Sequence, residues 1–494
     1  MKARALMVLG TGSGVGKSLI TAGLLRIISD MGIKAAPFKA QNMALNSFVT
    51  KDGGEIGRAQ ALQAEAARVE PLRPMNPVLL KATGEAGCQV IVNGAPVGNM
   101  SARQYYGYRD EAWKAATSAY DELSRQYEVI VMEGAGSPAE INLMDKDIVN
   151  IKMAAHAEAP AILVGDIERG GVFASLYGTI ELLGEDSRRI KGLVINKFRG
   201  DKQILDPGLH MIEKKTGVRC LGVLPWMREI LSEEDSLGLE AASKRQKGTR
   251  GKALRITVLR NAFISNFTDF EPFLHEPDVE LVYSLRAADI EGADMVLIPG
   301  SKSTCKDILF LREAGAEASV KRAFEKGVPV VGLCGGYQMM GRVVKDPSGV
   351  ESDIKEAHGM GLLDVETVLD KKKMVTQVEG ESLENNSIRL SGYEIHAGRT
   401  EGDIKLFNLK RAATGETVMD GSRNKNAWGT YVHGIFENDD FRAMLLNELR
   451  RRAGLPKRGP TNYQKLKDNA IDRLAALLAE NLDMDFIKAL LCIK

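Results

Sequence analysis

The stretch of sequence that decides the fold lies near the N-terminus and reads Ala5-Leu6-Met7-Val8-Leu9-Gly10-Thr11-Gly12-Ser13-Gly14-Val15-Gly16-Lys17-Ser18. Its apolar first part is predicted to be a buried strand. After the loop, apolar residues recur at helical spacing until Gly32, namely Ile20, Leu24, Ile27, Ile28 and Met31. A glycine-rich loop between a strand and a helix turns backbone N–H groups toward phosphate oxygens. We therefore predict a phosphate site in which Lys17 reaches the outer phosphates and Ser18 ligates Mg²⁺.

Length and charge limit the classes of function. The chain has 494 residues, enough for about three domains of about 150 residues each. Lys and Arg number 66 against 65 Asp and Glu, so the net charge of +1 gives no broad field for nucleic acid or an anionic membrane. No apolar run approaches the roughly 20 residues that span a bilayer, and the N-terminus does not look secretory. The five cysteines fit neither a disulfide framework nor a CxxC metal site, so we expect a cytoplasmic protein.

Apolar strand-like runs alternate with helical stretches through residues 1–228. The runs are Ala5–Leu9, Ile33–Phe38, Val129–Met132, Ala161–Val164, Leu193–Ile195 and Cys220–Leu224. Such alternation indicates an α/β domain, a doubly wound parallel sheet with helices on both faces.

A second alternation follows a polar segment. Residues 229–252 are acidic and then basic, which is typical of a linker. Strand-like runs then resume at Leu254–Leu259, Val279–Tyr283, Met295–Ile298, Val328–Leu333 and Trp428–Val432. We predict a second α/β domain over 253–445 and a helical tail over 446–494.

Polar residues at strand ends of the first domain are the candidates for metal and nucleotide. Glu133 follows the run Val129–Met132 and is assigned to Mg²⁺, because the carboxyl ends of parallel strands share the edge that holds the phosphate loop. Asp166 and Asp147 are weaker candidates for metal or phosphate, and Asn196 lies where adenine could be recognised. Simple strand-end or capping roles remain the alternatives.

The phosphate loop departs from the common spacing G-x-x-x-x-G-K-[ST]. Its matching glycine is Gly10, one place earlier, and the loop glycines Gly12, Gly14 and Gly16 are the predicted nucleotide contacts. A loop longer by one residue resembles that of dethiobiotin synthetase and related amide-forming enzymes. The partitioning ATPases carry a lysine at the place of Gly12, which disfavours a regulatory ATPase.

A second glycine cluster indicates a nucleophile elbow. The run Val328–Leu333 leads into Cys334-Gly335-Gly336-Tyr337-Gln338 and a helical stretch. Small neighbours permit the strained turn, and the start of the helix favours a thiolate. The catalytic base is predicted to be His433, which follows the last predicted strand. Backbone N–H groups of Gly335 and of the turn at Gly300 are the candidate oxyanion hole.

The pattern Gly-x-Cys-x-Gly-x-Gln with a downstream histidine resembles class I glutamine amidotransferase domains. This resemblance implies hydrolysis of glutamine through a cysteinyl thioester and delivery of ammonia to a second site. Their usual triad ends in His-x-Glu, whereas Ile435 stands two residues after His433. The third member is therefore open: Glu437, a carboxylate elsewhere, or none.

Long segments of the chain resemble the cobyric acid synthase family over about residues 3 to 490. They are 37–47, 57–60, 75–81, 133–143, 195–201, 265–270 and 392–396. The resemblance implies ATP- and Mg²⁺-dependent amidation of the b, d, e and g carboxylates of adenosylcobyrinic acid a,c-diamide, a corrinoid, with nitrogen from glutamine. The family also lacks the glutamate after its histidine. Oligomeric state is not predicted.

The substrate candidates follow the second predicted strand, at the same edge of the sheet as the phosphate loop. They are Lys39, Gln41, Asn42 and Asn46, with a purely structural role in the loop as the alternative. Three other functions stay open at this point: the a,c-diamide synthase, a cell-wall amidating enzyme, and a P-loop regulatory ATPase with a vestigial glutaminase domain.

Overall fold

The computed structural model describes residues 2–82, 87–226, 254–384 and 388–493. The predicted linker, 229–252, lies outside the described residues. The first domain is built on a fully parallel six-stranded sheet, with strands in the spatial order Arg219–Pro225, Ile190–Phe198, Ala161–Asp166, Arg4–Gly10, Val129–Glu133 and Ala35–Phe38. All six predicted strands are present, and the predicted doubly wound α/β fold is confirmed.

Helices cover both faces of this sheet. They are Lys17–Asp30, Arg58–Ala66, Arg109–Leu123, Ile151–His156, Val172–Leu183 and Lys202–Thr216. The short helix Ala102–Gly107 packs on the strands Val78–Ala82 and Gly87–Val92, and short 3₁₀ turns lie at Arg73–Met75, Met144–Lys146 and Gly184–Arg189. The first helix begins at Lys17, and its N-cap, Gly16, makes no side-chain cap to the first backbone N–H groups. Its apolar face packs on the buried strand Arg4–Gly10.

A small sheet follows the second strand of the first domain and was not predicted. Its strands run in the order Gln41–Met43, Val78–Ala82, Gly87–Val92 and Ala95–Ser101. Beside it, Ser47–Val49 and Glu55–Gly57 form an antiparallel pair, called here the 47–57 hairpin. The hairpin contacts the second domain.

The second domain has its own central sheet, in the order Val279–Ser284, Leu254–Leu259, Met295–Ile298, Val330–Leu333, Ala427–Thr430 and Ser422–Asn424. Its strands are parallel except the last. The helices are Ala287–Glu291, Thr304–Glu313, Ala316–Glu325, Gly335–Met340 and Asp439–Arg452, with 3₁₀ segments Phe267–His275 and Ile435–Glu437. The predicted α/β class of this half is confirmed as well.

A mixed sheet extends from the second domain toward the first. Its long strands Val365–Ser382 and Arg389–Gly402 pair antiparallel, and the shorter strands are Glu356–His358, Val343–Lys345, Phe407–Arg411 and Thr417–Asp420. A separate short pair joins Ile264–Ser265 to Gly300–Ser301. These additions carry residues that line the second site described below.

The C-terminal helices, Tyr463–Asn481 and Met484–Leu490, pack on the first domain. Helix Tyr463–Asn481 lies against Lys17–Asp30, where Gly23 allows close contact with Leu478. Buried Arg26 also pairs with Asp468 and Asp472 of that helix. The predicted domain boundary at residue 445 falls within the helix Asp439–Arg452. In the parts of the chain that the structure describes, none of the helices has the length and apolar character that a membrane crossing requires.

Candidate active sites

The phosphate loop has the backbone shape that its glycines permit. Gly14 and Gly16 have φ angles of 70° and 100°, in the left-handed region that favours glycine. Lys17 Nζ donates hydrogen bonds to the carbonyl oxygens of Gly12, at 2.8 Å, and Gly136, at 3.1 Å. The lysine therefore lies across the mouth of the loop, where it can exchange these contacts for phosphate oxygens.

Asn196 lies beneath the loop and supports its backbone. Its side-chain amide donates to the carbonyl oxygen of Val15 at 2.8 Å, and a Cβ at Gly16 would lie 2.1 Å from Asn196 Nδ2. The predicted contact with adenine stays a prediction. Lys197 donates to the carbonyl oxygen of Gly14 at 2.6 Å and pairs with Asp166 at 3.3 Å. Asp166 is therefore paired with Lys197. It does not line the cavity around Glu133 that is described below.

Glu133 is the buried carboxylate of the first site. Its oxygen Oε1 accepts from the Ser18 hydroxyl and from Lys39 Nζ, each at 2.8 Å, and Oε2 accepts from Gln63 at 2.6 Å. Burial alone would raise the pKa of Glu133, but Lys39 and the hydrogen bonds from Gln63 and Ser18 hold it below its usual value. Glu133 is therefore ionised at neutral pH.

A carboxylate and a hydroxyl that face each other beside a phosphate loop are hard oxygen donors, the kind that Mg²⁺ accepts together with phosphate oxygens and water. The pair Glu133 and Ser18 therefore fits the predicted ion. Among the described residues there is no cluster of three or more His, Cys, Asp or Glu side chains that could hold a metal alone.

A cavity of about 800 Å³ opens in front of the loop. Of the predicted substrate residues, Lys39, Gln41 and Asn42 line it, as does Asp147. Asn46 is absent from the lining, because its side chain accepts a hydrogen bond from the backbone of Phe267 at 3.1 Å. Residues of the second domain and of the C-terminal helix close the far wall, among them Thr268, Glu271, His275, Tyr463, Lys467 and Arg473.

The second site is built on a strained turn. Cys334 has φ 52° and ψ −108° at the junction of strand Val330–Leu333 and helix Gly335–Met340. A Cβ at Gly336 would lie 2.0 Å from the carbonyl oxygen of Ile298, so only glycine fits there. This is the geometry of a nucleophile elbow, which presents the side chain of its central residue at the edge of the sheet.

His433 lines one small cavity with Cys334 and also contacts a carboxylate. Its Nδ1 lies 2.7 Å from Asp269 Oδ2, and Asp269 Oδ1 accepts from the backbone N–H of Gly434 at 2.9 Å. Burial opposes the charged imidazole, but the negative charges of Asp269 and Cys334 raise the pKa of His433 to about 10. The structure thus brings together a thiol, an imidazole and a carboxylate.

Asp269 is the residue that sequence reasoning did not single out. It lies 164 positions before His433, so no local spacing joins the two. The available signal was its place within segment 265–270, one of those that resemble the cobyric acid synthase family. Glu437, the candidate considered for this role, instead pairs with Arg58 at 2.7 Å and Lys467 at 3.5 Å.

The comparisons with known proteins match both halves of the chain. Residues 6–237 match the family described as CobQ/CobB/MinD/ParA nucleotide binding domain, and residues 255–441 match the CobB/CobQ-like glutamine amidotransferase domain. A cobyric acid synthase of Thermodesulfovibrio yellowstonii is 47% identical, with 98% of each chain covered. Those of Desulfitobacterium hafniense and Syntrophobacter fumaroxidans are 45% identical, covering 99% of this chain and 98% and 99% of theirs. The chain belongs to the cobyric acid synthase family.

Membership in the cobyric acid synthase family agrees with the arrangement of the two sites. The chain is a glutamine amidotransferase ligase with a nucleotide-binding domain in front of its amidotransferase domain. The alternative of a regulatory ATPase with a vestigial glutaminase is not favoured.

The predicted oxyanion hole lies at the elbow of the amidotransferase domain. A Cβ at Gly335 would lie 2.7 Å from the backbone nitrogen of Ser301, and one at Gly300 would lie 3.5 Å from His433 Cε1. The turn Gly300–Ser301 and the start of the helix after Cys334 therefore face each other. A small cavity of about 60 Å³ lies here, lined by Cys334, His433 and Gly335 and also by Lys81 of the first domain.

Proposed function

We propose that this protein converts adenosylcobyrinic acid a,c-diamide to adenosylcobyric acid in cobalamin biosynthesis. It would amidate the b, d, e and g carboxylates, with ATP as the activating substrate and glutamine as the nitrogen source. The observation that carries the proposal is one chain that joins a phosphate loop facing a large cavity to a buried Cys334, His433 and Asp269 set. Its relatives named cobyric acid synthase span nearly its whole length.

In the glutaminase half, Cys334 would attack the side-chain amide carbon of glutamine. The Cys334 proton passes to His433 and then to the departing nitrogen, so that the C–N bond breaks, ammonia leaves and a thioester remains. Water, deprotonated by His433, then releases glutamate and restores the thiol. Asp269 holds the Nδ1–H of His433, which leaves Nε2 to exchange protons. The N–H groups at Gly335 and Ser301 would stabilise the tetrahedral oxyanion.

In the synthetase half, a substrate carboxylate oxygen would attack the terminal phosphorus of ATP, giving an acyl phosphate and ADP. Ammonia then attacks the acyl carbon, forming the amide bond and releasing inorganic phosphate. Lys17 is placed to neutralise charge on the transferred phosphoryl group, and the loop amides hold the inner phosphates. Ser18 and Glu133 would hold Mg²⁺, which supplies further charge neutralisation when bound. Lys39 keeps Glu133 ionised and in place.

The corrinoid is proposed to occupy the cavity in front of the loop. Its wall carries many cationic side chains for a molecule with several carboxylates: Lys17, Lys39, Arg58, Arg109, Lys146, Lys467 and Arg473. The same wall also carries the acids Glu65, Glu133, Glu140, Asp147 and Glu271, so its cations exceed its acids by a small margin. The volume of about 800 Å³ is at the upper end for ligand pockets, as a bulky substrate requires.

We also propose that the protein works in the cytoplasm. ATP, glutamine and corrinoid intermediates are small molecules that require no nucleic acid or membrane partner. The described cysteines Cys88, Cys220, Cys305, Cys334 and Cys492 are all free thiols, as a reducing compartment would keep them.

The test of the proposed function is a defined reaction. Purified protein receives ATP, Mg²⁺, glutamine and a panel of carboxylated corrinoids, and the products are weighed by mass spectrometry. Each amidation exchanges a hydroxyl for an amino group, and successive mass decreases on the a,c-diamide are expected. Activity only on the unamidated acid, or on no corrinoid, would contradict the proposal. Protein without ATP is the matched control.

A further inference from the structure

Two residues outside the Cys334, His433 and Asp269 set hold the imidazole of His433. Asn266 Nδ2 lies 3.3 Å from His433 Nδ1. The ring of Tyr393 stacks on the imidazole, with centroids 5.4 Å apart and planes inclined by 19°. The backbones of Tyr393 and His433 also exchange two hydrogen bonds, of 3.1 and 2.9 Å. The imidazole is therefore held on its face by the Tyr393 ring and along its backbone. Asn266 packs against its edge without a hydrogen bond, because the Nδ1–H is donated to Asp269.

Both of these residues are tied to one residue of the other domain. The backbone N–H of Ser47 donates to Asn266 Oδ1 at 2.9 Å. The Tyr393 hydroxyl donates to the backbone oxygen of Ser47 at 3.0 Å. All three residues are buried: Ser47 is 0% exposed, Asn266 2% and Tyr393 4%. Next to them, the side chain of Asn46 accepts from the backbone of Phe267 at 3.1 Å.

The bond from Ser47 decides which way the amide of Asn266 points. With Oδ1 accepting from Ser47, the amide NH₂ faces the imidazole. The backbone of Asn266 is left-handed, with φ 50°, a conformation that asparagine tolerates better than most residues. Loss of the Ser47 contact would leave a buried carbonyl oxygen without this donor and release the amide to rotate.

The element that carries Ser47 also reaches the wall of the glutaminase pocket. Ser47 opens the 47–57 hairpin, and its other strand carries Glu55, which is fully buried. Glu55 pairs with Lys81 at 3.0 Å and with Lys373 of the second domain at 2.5 Å. Both lysines line the small cavity with Cys334. On the other side, Lys39, Gln41 and Asn42, a few positions before Ser47, line the large cavity.

We propose that Ser47 of the first domain positions the His433 imidazole through Asn266 and Tyr393, so that glutamine hydrolysis reaches its full rate only when the 47–57 hairpin is docked. Asn266, Tyr393 and Ser47 are positioning residues, since they act through His433. The proposal rests on the glutaminase role of Cys334 and His433. It adds a physical connection between the two sites. The segment with Lys39, Gln41 and Asn42 at the large cavity continues along the chain to Ser47, which contacts the residues around His433.

Two variants separate this role from general packing. Tyr393→Phe keeps the stacked ring and removes only the hydroxyl that donates to Ser47. Asn266→Gly keeps the left-handed backbone and removes the amide. We expect kcat for glutamine hydrolysis to fall about fivefold to tenfold in Tyr393→Phe, the equivalent of one hydrogen bond. A fall of about 10- to 100-fold is expected in Asn266→Gly, as for a misplaced catalytic group. KM for glutamine should not change.

Ammonia-dependent amidation should stay at the wild-type rate in both variants, because it does not use His433. The matched control is Tyr120→Phe, which removes a buried hydroxyl with no hydrogen-bond partner among the described residues. An unchanged kcat in both variants would overturn the proposal, as would a rise in KM alone, which would make Asn266 a glutamine contact. Equal loss of both activities would show a packing role instead. Cys334→Ala, run in parallel, tests the glutaminase assignment separately.

Discussion

The two sites differ in how much of their chemistry is assembled before a substrate binds. At Cys334 the cavity is about 60 Å³, the nucleophile and the base line it together, and the base already contacts its carboxylate. At Lys17 the cavity is about 800 Å³, and its polar groups are held by contacts that substrates would replace. In the proposed function, one site would accept a single small amide, while the other would accept ATP and a large corrinoid whose carboxylates react in turn. The difference indicates that a preassembled glutaminase site supplies nitrogen to a large site that binds the acceptor.

The largest effect on the difference between the two sites is expected from Cys334→Ala. Glutamine-dependent amidation should fall by as much as about 10⁶-fold, the scale seen when a covalent nucleophile is removed. Amidation with ammonium salts should continue at the wild-type rate, because the synthetase cavity is intact. Product is measured by mass spectrometry with each nitrogen source. Loss of both activities in a variant that remains folded would contradict separate sites.

Asp269→Asn breaks the orientation of the base. Glutaminase kcat should fall by up to about 10⁴-fold, since the amide no longer fixes the Nδ1–H form of His433. The matched control is Glu437→Gln, at the carboxylate that pairs with Arg58 and Lys467 instead, for which we expect little change. Glutamate release is the assay. A larger loss in Glu437→Gln than in Asp269→Asn would show that Asp269 is not the third member of the triad.

Lys17→Ala breaks the other site. Amidation should fall about 10²- to 10³-fold with either nitrogen source, the typical cost of removing one group that stabilises transition-state charge. Glutamine hydrolysis at Cys334 should persist. Ammonium-dependent turnover at the wild-type rate in this variant would show that the phosphate loop is not the activating site.

The raised pKa of His433 gives the comparison a pH signature. The pKa is about 10 in the folded protein, against 6.5 for an ordinary histidine. Stability from its pairing with Asp269 is therefore fully present below pH 6.5 and is lost as the pH rises toward 10. The difference in unfolding free energy between wild type and Asp269→Asn, from denaturant titrations, should be largest near pH 6 and shrink toward pH 10. A difference that grows with pH would contradict the charged pair.

The smallest effect is expected at the C-terminal helix, which lines only the large cavity. A Cβ at Gly222 would lie 2.0 Å from the backbone oxygen of Asn481, so Gly222→Ala should destabilise the protein by about 1–3 kcal/mol. KM for the corrinoid should rise a few-fold, because Tyr463, Lys467 and Arg473 shift, while glutamine hydrolysis is unchanged. Gly178→Ala, where a Cβ would meet nothing within 4 Å, is the matched control. Equal effects of the two variants on KM would contradict the role of this helix.

The sequence predicts those parts of each site that lie within one continuous stretch. Lys17, Ser18 and Cys334 each follow a strand and open a helix, so a local pattern is enough to find them. Asp269 could not be found in this way, since only the tertiary fold brings it to His433. Asp166 is an example of a local pattern that predicts too much. It is a carboxylate at a strand end, but the fold pairs it with Lys197 of the adjacent strand.

The same limit explains the unpredicted parts of the fold. The strand Val365–Ser382 contains Lys371, Lys372 and Lys373 and little apolar alternation, so its pairing with Arg389–Gly402 has no strong local signal. The sequence predicts a helical tail over 446–494, but it does not say which surface the helices cover. Ser47 contacts Asn266 and Tyr393 through its own backbone N–H and carbonyl groups. Every residue type has a carbonyl and nearly every one an N–H, so the sequence cannot indicate these contacts.

The central claim is that nitrogen released at Cys334 is consumed at the Lys17 site of the same chain. An isotope competition tests it most directly: the protein receives ATP, Mg²⁺, the a,c-diamide, glutamine labelled with ¹⁵N in its side-chain amide, and unlabelled ammonium. The wild type should place mainly ¹⁵N in the product, and Cys334→Ala only unlabelled nitrogen. Labelled amide in the products of Cys334→Ala, or none in those of the wild type, would contradict the account.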